Sequence, residues 1–289
     1  MKVTLIEAPI CRGSPTDGSQ YAYRSLIENG FAGLFPDVSL CPMAPPACPE
    51  DEGPSNMKFL NEVMAVSRRL YRSVGTALRG GSFPIVIGGD HSAAIGSIAG
   101  VSSVYGPDDL AVVYLDGHAD INTERTSETG FIHGMPLAAA LGLCDDRLTV
   151  GRKVNLIGRN LVILGARSVD AGEYPTIAAQ SVTMIPADEM HRRGVSAVLG
   201  EILPSLKAKA VHVSLDVDFM DQTVFPATGY RMPGGASFSE AREALSLCLN
   251  DGRVTSMDLV EYNPLLDRDA SGRATLFRLL SPVSAYAAQ

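Results

Sequence analysis

The chain has 289 residues, of which 46% are hydrophobic and 19% are charged, and this composition excludes a disordered protein. Its net charge is −8 without a long basic run, which disfavours nucleic acid and anionic membranes as partners. No apolar run reaches the length of a membrane span, and no signal-peptide pattern opens the chain, so we expect a cytoplasmic protein. The five cysteines, without a Cys-x-x-Cys pair, indicate reduced thiols.

Short β-branched runs alternate with helix-like segments along the chain. The predicted strands cover residues 2–8, 36–41, 84–88, 111–116, 160–165, 181–185, 209–215 and 254–260. The predicted helices lie near residues 18–29, 55–79, 92–104, 134–142, 195–206, 238–250 and 272–286. This alternation predicts a three-layer α/β/α fold with a central parallel sheet of about eight strands. One domain over residues 1–289 is the simplest account, with the Pro-rich stretch at 42–54 as a surface loop.

Six side chains that can bind metal follow three of the predicted strands: His91, Asp116, His118, Asp120, Asp216 and Asp218. Alternate side chains of an extended segment point the same way, so we expect those within one segment to share a face. The carboxyl ends of parallel strands are also where ligands bind in open α/β sheets. One Asp-x-His-x-Asp segment is equally well a polar loop, but three segments that each follow a strand favour a metal centre.

The charge of these six side chains suits two divalent cations. Four carboxylates carry about −4 and would repel one another, whereas two divalent ions carry about +4 and imidazoles are neutral ligands. An oxygen-rich set with two nitrogens favours Mn²⁺ over a thiolate-type zinc site. Two adjacent cations can generate hydroxide at neutral pH, which indicates a hydrolase.

The three metal segments, in this order, resemble the ureohydrolase (arginase–agmatinase) superfamily, and arginases most closely. Two further motifs carry the resemblance, Gly-Phe-Ile-His-Gly-Met-Pro at 130–136 and Val-Glu-Tyr-Asn-Pro at 260–264, and it runs from about Leu5 to the last predicted helix. It implies a single α/β domain that binds two Mn²⁺ ions and hydrolyses a guanidino or formimino carbon. It also implies a homotrimer or a homohexamer.

The resemblance further implies how the ligands divide between the ions. One ion would be held by His91, Asp116, Asp120 and Asp216. The other would be held by His118, Asp116, Asp216 and Asp218. A hydroxide bridging the two ions would then attack the planar guanidino carbon.

The resemblance implies catalytic roles for the ligand Asp120 and for two residues outside the ligand sets. Glu261 follows the predicted strand at 254–260 and would pair with the guanidinium. His133 would move protons between solvent and the metals, since its near-neutral reference pKa suits that work, although it could instead be a loop histidine that fixes the fold. Of the remaining histidines, His212 is expected in the core and His191 on a solvated helix face.

The loop from 120 to 133 has the longer form typical of arginases rather than agmatinases. By resemblance, Asn122 and Thr129 would donate hydrogen bonds to the substrate α-carboxylate. A third position, usually Asn, is Phe131 here, which removes one polar contact.

The segment 165–173 resembles the arginase segment that meets the substrate α-amino group. Asp170 and Glu173 fall on its two acidic positions, and two acids facing an ammonium suit a cationic amino acid. The alternative is an ordinary acidic loop.

Two substitutions leave the substrate open. Tyr230 stands where arginases usually have a Thr that lines the guanidino pocket, and Arg231 either points away or binds a second carboxylate. L-arginine is the leading substrate; the alternatives are agmatine, another guanidino acid, an N-hydroxyguanidine and formiminoglutamate, because polar differences at such a site change discrimination strongly. A non-catalytic family member is a third possibility, against which the intact ligand set and His133 argue.

Overall fold

The computed structural model describes residues 1–46 and 52–288. Its strands are β1 (Val3–Glu7), β2 (Val38–Cys41), β3 (Phe83–Ile87), β4 (Leu110–Leu115), β5 (Leu161–Ala166), β6 (Thr183–Pro186), β7 (Ala210–Asp216) and β8 (Val254–Val260). They form one sheet in the order β2-β1-β3-β8-β7-β4-β5-β6, and all neighbouring strands are parallel. The predicted α/β fold with a parallel sheet of about eight strands is confirmed.

The helices lie between these strands and after the last one. They are α1 (Ala22–Glu28), α2 (Leu60–Arg79), α3 (Ala94–Tyr105), α4 (Pro136–Ala140), α5 (Tyr174–Gln180), α6 (Ala187–Arg193), α7 (Val195–Ser205), α8 (Phe238–Asn250), α9 (Ser271–Leu279) and α10 (Ser281–Ala287). The predicted helix ranges omitted α5 and α6, two short helices that carry little periodic signal, although His191 of α6 was expected on a helix face.

Two helix predictions had wrong boundaries for identifiable reasons. The predicted helix at 55–79 begins only at Leu60, since Phe59 adopts a left-handed backbone with φ 55°. The predicted helix at 272–286 is two helices, α9 and α10. Pro282 occupies the first turn of α10, where its missing N–H costs nothing, whereas inside one continuous helix it would break the ladder.

Helices cover both faces of the sheet, so its central strands are buried on both sides. Every residue of β4 and of β7 is buried. Along β4, Val112 packs into the core under α2 and α3, and Val113 packs into the core under α7 and α8. Helices α2 and α3 approach closely at Gly96, where a Cβ would lie 2.4 Å from the Ser67 carbonyl oxygen. Strands buried in this way hold their carboxyl ends in fixed positions.

Four neighbouring strands at the middle of the sheet, β3, β8, β7 and β4, deliver the predicted site residues. His91 follows β3, Glu261 follows β8, Asp216 ends β7, and Asp116 follows β4. Parallel strands place their carboxyl ends at one edge, so side chains that are far apart in sequence meet there.

Two compositional predictions touch residues outside the described ranges. Cys11, Cys41, Cys144 and Cys248 are free thiols, whereas Cys48 and residues 47–51 of the Pro-rich stretch lie outside the described residues. Among the residues in the two described ranges, no helix combines the length and apolar character that crossing a membrane requires.

Candidate metal centre

His91 directs one ring nitrogen at three carboxylates. Its Nδ1 lies 2.8 Å from Asp116 Oδ2, 3.2 Å from Asp216 Oδ2 and 3.3 Å from Asp120 Oδ2. Its Nε2 lies 2.9 Å from the Ser214 hydroxyl, which fixes the orientation of the ring. The first of the two predicted ligand sets is therefore gathered around a single nitrogen.

His118 forms a second, adjacent group. Its Nδ1 lies 3.1 Å from Asp218 Oδ2 and 3.5 Å from Asp116 Oδ1. The potential ligand atoms of His118, Asp116 and Asp218 all lie within 4.8 Å of one another, as do those of His91, Asp116 and Asp216. Asp116 belongs to both groups, which is the arrangement expected of a carboxylate between two cations.

The ligand segments converge through tight turns rather than through the strand alternation that we expected. Strand β4 ends before Asp116, and the Asp116 carboxylate accepts a hydrogen bond from the His118 N–H at 2.7 Å. The Asp216 carboxylate accepts the Asp218 N–H at 2.7 Å in the same way. Asp120 has a left-handed φ of 47°, which re-aims its side chain. Tight turns closed by the Asp116 and Asp216 carboxylates thus replace the extended geometry that we expected.

Unpaired buried atoms indicate that the cluster fits a cation. His91 Nδ1 and Asp116 Oδ2 are buried and lie 2.8 Å apart, yet neither makes a well-aligned hydrogen bond among the described residues, a costly state for polar atoms. Burial, reinforced by Asp218 and Asp116, raises the pKa of Asp216 to about 8. A divalent cation would reverse this shift, because it stabilises the carboxylate form.

A layer of polar residues beneath the cluster was missed by the sequence analysis. The Tyr114 hydroxyl donates to Asp120 Oδ2 at 2.8 Å, and its ring stacks on His91 with 4.2 Å between centroids. The Ser214 hydroxyl donates to Asp258 Oδ2 at 3.3 Å. Strand parity is the signal that could have found them, because Tyr114 and Ser214 each precede an acidic ligand by two residues.

The two remaining histidines are both hydrogen-bonded. His212 is a buried core residue as expected, with Nε2 3.0 Å from Asp258 Oδ2 and Nδ1 2.8 Å from the Ser256 hydroxyl. His191 lies partly exposed on α6, as expected, but also contacts Glu240 Oε1 at 2.9 Å and the Gly234 carbonyl at 3.2 Å.

Glu261 and His133 lie beside the cluster. Glu261 Oε1 accepts the His91 N–H at 3.0 Å and lies 3.8 Å from His133 Nδ1. Burial, with the charge of Asp216, raises the pKa of Glu261 well above its usual value, and a cation paired with it would oppose that shift. Burial also lowers the pKa of His133 to about 3, so its imidazole is neutral at pH 7.

A cavity of about 220 Å³ opens on the cluster and collects every predicted substrate-binding residue. Its lining includes His118, Asp120, Asn122, Thr129, Phe131, His133, Asp170, Glu173 and Tyr230. A larger cavity of about 510 Å³ lies near His191 and Tyr174 and contains none of the predicted site residues. We assign chemistry to the smaller cavity because it alone of the two joins the metal-capable cluster to ionisable groups.

Hydrogen bonds fix the positions of Asp170 and Glu173 on the acidic side of the small cavity. Asn122 Nδ2 donates to Asp170 Oδ2 at 2.8 Å. The two oxygens of Glu173 accept the N–H groups of Ile121 at 2.9 Å and Asp170 at 2.8 Å. The Glu173 carboxylate thereby ties two loops together while it lines the same cavity, and its contact with an ammonium group stays a prediction. Asp170 is the acid that faces the opening.

Tyr230 lines the small cavity, whereas Arg231 lies outside it. The Tyr230 ring stacks on His133 with 5.3 Å between centroids and meets the His118 ring edge-on at 5.5 Å. Burial raises the pKa of Tyr230 to about 12, so its hydroxyl keeps its proton. Arg231 is exposed and does not line the cavity, which agrees with the alternative that it points away.

Arg167 connects this loop to the metal-capable cluster and was not predicted as a site residue. Its Nη2 donates to the Asp218 carbonyl at 2.6 Å and contacts the Met232 carbonyl at 3.4 Å. The turn that carries Asp218 is thereby tied to the loop that carries Tyr230.

The chain matches known proteins over nearly its whole length. The sequence model of the Arginase family matches residues 3–280. Arginase of Bacillus subtilis (strain 168) is 37% identical over 266 residues, which cover 89% of this chain and 86% of that protein. Arginase of Brevibacillus brevis is 38% identical over 232 residues, which cover 79% of this chain and 77% of that protein.

Solved structures agree with the sequence comparisons. The crystal structure of Bacillus subtilis arginase has a TM-score of 0.89 at 32% identity, covering 98% of both chains. Entamoeba histolytica arginase in complex with L-ornithine has a TM-score of 0.91 at 31% identity, with the same coverage. Formimidoylglutamase of Bacillus subtilis, at 20% identity and a TM-score of 0.80 over 99% of this chain and 88% of that chain, shares the fold alone. The chain therefore belongs to the arginase family of ureohydrolase enzymes, as its motifs predicted.

Proposed function

We propose that the protein hydrolyses L-arginine to ornithine and urea. The observation that carries this proposal is one cavity that joins the metal-capable cluster to Asp170, an acid positioned to meet an α-ammonium group. Asn122 and Thr129 line the same cavity and add neutral donors. The similarity to proteins named arginase supports the same substrate.

We propose two Mn²⁺ ions as the cofactor. His91, Asp116, Asp120 and Asp216 would hold one ion. His118, Asp116 and Asp218 would hold the other, with Asp216 as the second shared carboxylate that the family resemblance implies. When bound, such a pair of cations supplies Lewis acidity that lowers the pKa of water towards neutrality. The oxygen-rich donor set favours Mn²⁺ over a metal that prefers thiolates.

The residues around the cluster would bind and orient the substrate. The Asp170 carboxylate would accept hydrogen bonds from the α-ammonium group, in a position set by Asn122 and Glu173. Glu261 would pair with the guanidinium, since its Oε1 is already held beside the cluster by the His91 N–H. Fixing both ends of the substrate places its guanidino carbon reproducibly, which is a large part of the rate gain in such reactions.

His133 would transfer protons, and Tyr230 would restrict the access of water. The His133 imidazole is neutral at pH 7, so it would pass a proton onward rather than retain it. Its Nδ1 lies 3.8 Å from Glu261 Oε1, within reach of the group that meets the guanidinium. Tyr230 covers the His133 ring and would narrow the access of water from that side.

The test is urea release from protein that has been stripped of metal and reloaded with Mn²⁺. L-arginine, agmatine and 4-guanidinobutanoate are compared, because agmatine lacks the carboxylate and 4-guanidinobutanoate lacks the α-amino group. We expect urea from L-arginine at much the highest kcat/KM. An absence of urea from L-arginine would overturn the proposal, and a preference for 4-guanidinobutanoate would reassign the substrate.

Asp170→Asn is the variant that tests the substrate assignment, with Asp188→Asn, at an acid of the larger cavity, as its matched control. We expect Asp170→Asn to lose most of the preference for L-arginine over 4-guanidinobutanoate, and Asp188→Asn to keep it. Equal preference in all three proteins would contradict the role of Asp170.

We also propose that residues 1–289 act as one domain in a cytoplasmic homotrimer or homohexamer. The family resemblance supports this assembly. Light scattering after size-exclusion chromatography measures the mass directly, and a monomeric mass would contradict it.

A further inference from the structure

Within residues 1–46 and 52–288, the His133 ring makes no hydrogen bond that could set its orientation. Its Nδ1 lies 3.8 Å from Glu261 Oε1, which is beyond hydrogen-bonding distance. The backbone of His133 is fixed, because its N–H donates to the Gly13 carbonyl at 2.9 Å. A fixed backbone still leaves the side-chain torsions a choice of staggered positions, so a constant place for the imidazole requires another contact.

The Tyr230 ring supplies that contact. The rings of Tyr230 and His133 stack with 5.3 Å between centroids and 27° between planes, within the range of attractive aromatic pairs. Phe131 approaches the same imidazole edge-on, at 6.4 Å and 75°. Of these two neighbours, Tyr230 is the one that lies nearly parallel to the imidazole and covers its face.

The Tyr230 ring is itself fixed by its surroundings. It meets the His118 ring edge-on, with 5.5 Å between centroids and 81° between planes. Its loop is held by Arg167, whose Nη2 contacts the Asp218 carbonyl at 2.6 Å and the Met232 carbonyl at 3.4 Å. The ring that stacks on the proton-transfer group is therefore attached to the turn that carries a metal-capable carboxylate.

These contacts are made by the ring of Tyr230 and not by its hydroxyl. In the described part of the chain, that hydroxyl makes no hydrogen bond. A threonine, which the family resemblance leads us to expect at this position, has no ring and could not stack on an imidazole. The stack is therefore a feature of this chain.

We propose that Tyr230 is a positioning residue for proton transfer, whose ring holds the His133 imidazole in one orientation beside Glu261. Tyr230 then contributes to kcat through His133, and not through a contact of its own with the reacting atoms. This inference rests on the proposed function for the reaction in which His133 takes part. A small displacement of a catalytic group lowers the rate steeply, so the ring matters although it exchanges no proton.

Tyr230→Leu is the decisive variant, because it keeps an apolar side chain over His133 and removes the ring. Tyr230→Phe keeps the ring, and Tyr174→Leu removes an exposed tyrosine outside the small cavity as the matched control. Tyr230→Leu is also combined with His133→Gln. Urea release from L-arginine, manganese content and melting temperature are measured for every protein.

In Tyr230→Leu we expect kcat to fall about tenfold, with a smaller change in KM and with manganese content unchanged. Tyr230→Phe should recover most of that loss, and Tyr174→Leu should match the parent protein. The double variant gives the sharper result. In the His133→Gln background, Tyr230→Leu should lower kcat less than about twofold, because the two residues act as one unit.

An equal loss of kcat in both backgrounds would overturn the proposal, since Tyr230 would then act independently of His133. An equal loss in Tyr230→Phe and Tyr230→Leu would overturn it by assigning the effect to the hydroxyl. Full activity in Tyr230→Leu would show that the stack positions nothing. A loss of manganese in that variant would contradict the proposal as well, because the role of the ring would then lie at His118.

A chemical probe follows the same contact without turnover. Diethyl pyrocarbonate modifies accessible neutral imidazoles, and peptide mass spectrometry measures the rate at His133 in the manganese-loaded proteins. We expect His133 to react at least about threefold faster in Tyr230→Leu than in the parent protein or in Tyr230→Phe. If the parent releases no urea from L-arginine but shows this difference, the proposed reaction fails and the positioning of His133 by Tyr230 stands. Equal rates in all three proteins would overturn the positioning, whatever the activity.

Discussion

Two regions of the small cavity differ in how they are built. The strand-end cluster consists of His91, Asp116, His118, Asp120, Asp216 and Asp218, and it is almost entirely buried. The loop rim consists of Thr129, Phe131, Asp170 and Tyr230, all of which line the cavity and are partly or fully exposed. The cluster is fixed by three strands of the sheet, β3, β4 and β7, whereas the rim comes from separate loops. Residues for bond cleavage and residues for substrate choice can therefore change independently.

The largest expected effect comes from the cluster. Asp116→Ala removes the carboxylate that lies near both His91 and His118, so we expect loss of manganese and a kcat lower by at least about a thousandfold. Metal analysis and urea release measure both. Asp108→Ala, at an exposed acid at the opposite end of β4, should change neither quantity. An Asp116→Ala protein that keeps its manganese and its activity would contradict the assignment of the cluster.

His133 lies between the two regions, because it contacts Tyr230 on one side and Glu261 on the other. A His133 variant therefore tests whether catalysis and metal binding can be separated. For His133→Gln we expect kcat to fall about a hundredfold, as for removal of a proton-transfer group, with manganese content unchanged. The measurement is kcat together with metal analysis, and Gln20→Ala at a surface site serves as the control. A parallel loss of manganese would instead show that His133 holds the cluster together.

A smaller effect is expected at the rim, in substrate choice. Tyr230→Thr replaces the ring that covers His133 with a small side chain and enlarges the cavity. We expect kcat/KM for Nω-methyl-L-arginine, relative to L-arginine, to rise about tenfold, the range of one methyl group in a fitted pocket. Ornithine formation measures this ratio. Tyr174→Thr, at an exposed tyrosine outside the small cavity, should leave it unchanged, and an unchanged ratio in Tyr230→Thr would exclude Tyr230 from the pocket wall.

The smallest effect concerns how the loop that carries Tyr230 is attached. His191 contacts Glu240 and the Gly234 carbonyl, two acceptors that both favour the protonated ring, and the Glu240 hydrogen bond raises the pKa of His191. The folded-state pKa lies above the unfolded one, so this stability is present below the unfolded pKa and is lost as pH rises through the folded pKa. His191→Gln should therefore lower the melting temperature at acidic pH but not at alkaline pH.

We expect that difference to stay below about 1 kcal/mol, because the pair is solvent-screened. Thermal melts of both proteins across the pH range measure it, and kcat serves as the control because it should not change. A destabilisation of equal size at every pH would mean that the ring acts by packing rather than by its charge.

The sequence alone led to the fold class and to the candidate ligands. Runs such as 111–115 and 210–215 are long enough to predict buried strands, and a polar residue directly after such a run predicts a side chain at the sheet edge. It did not reveal that Asp116 and Asp216 fold the chain back through their own carboxylates, since turns of that kind depend on backbone geometry.

What the tertiary structure decided is which polar groups remain available. The sequence predicts that Glu173 is an ammonium-binding acid, and the fold adds that both of its oxygens accept backbone N–H groups. Lys58 carries no motif, yet its ammonium lies over the Phe131 ring and its backbone N–H donates to the Gly130 carbonyl. Local patterns determine which residues end a strand or open a turn, because these preferences act over a few residues. Hydrogen bonds between distant segments form only when the sheet brings them together, so the partners of Glu173 and Lys58 were set by the fold.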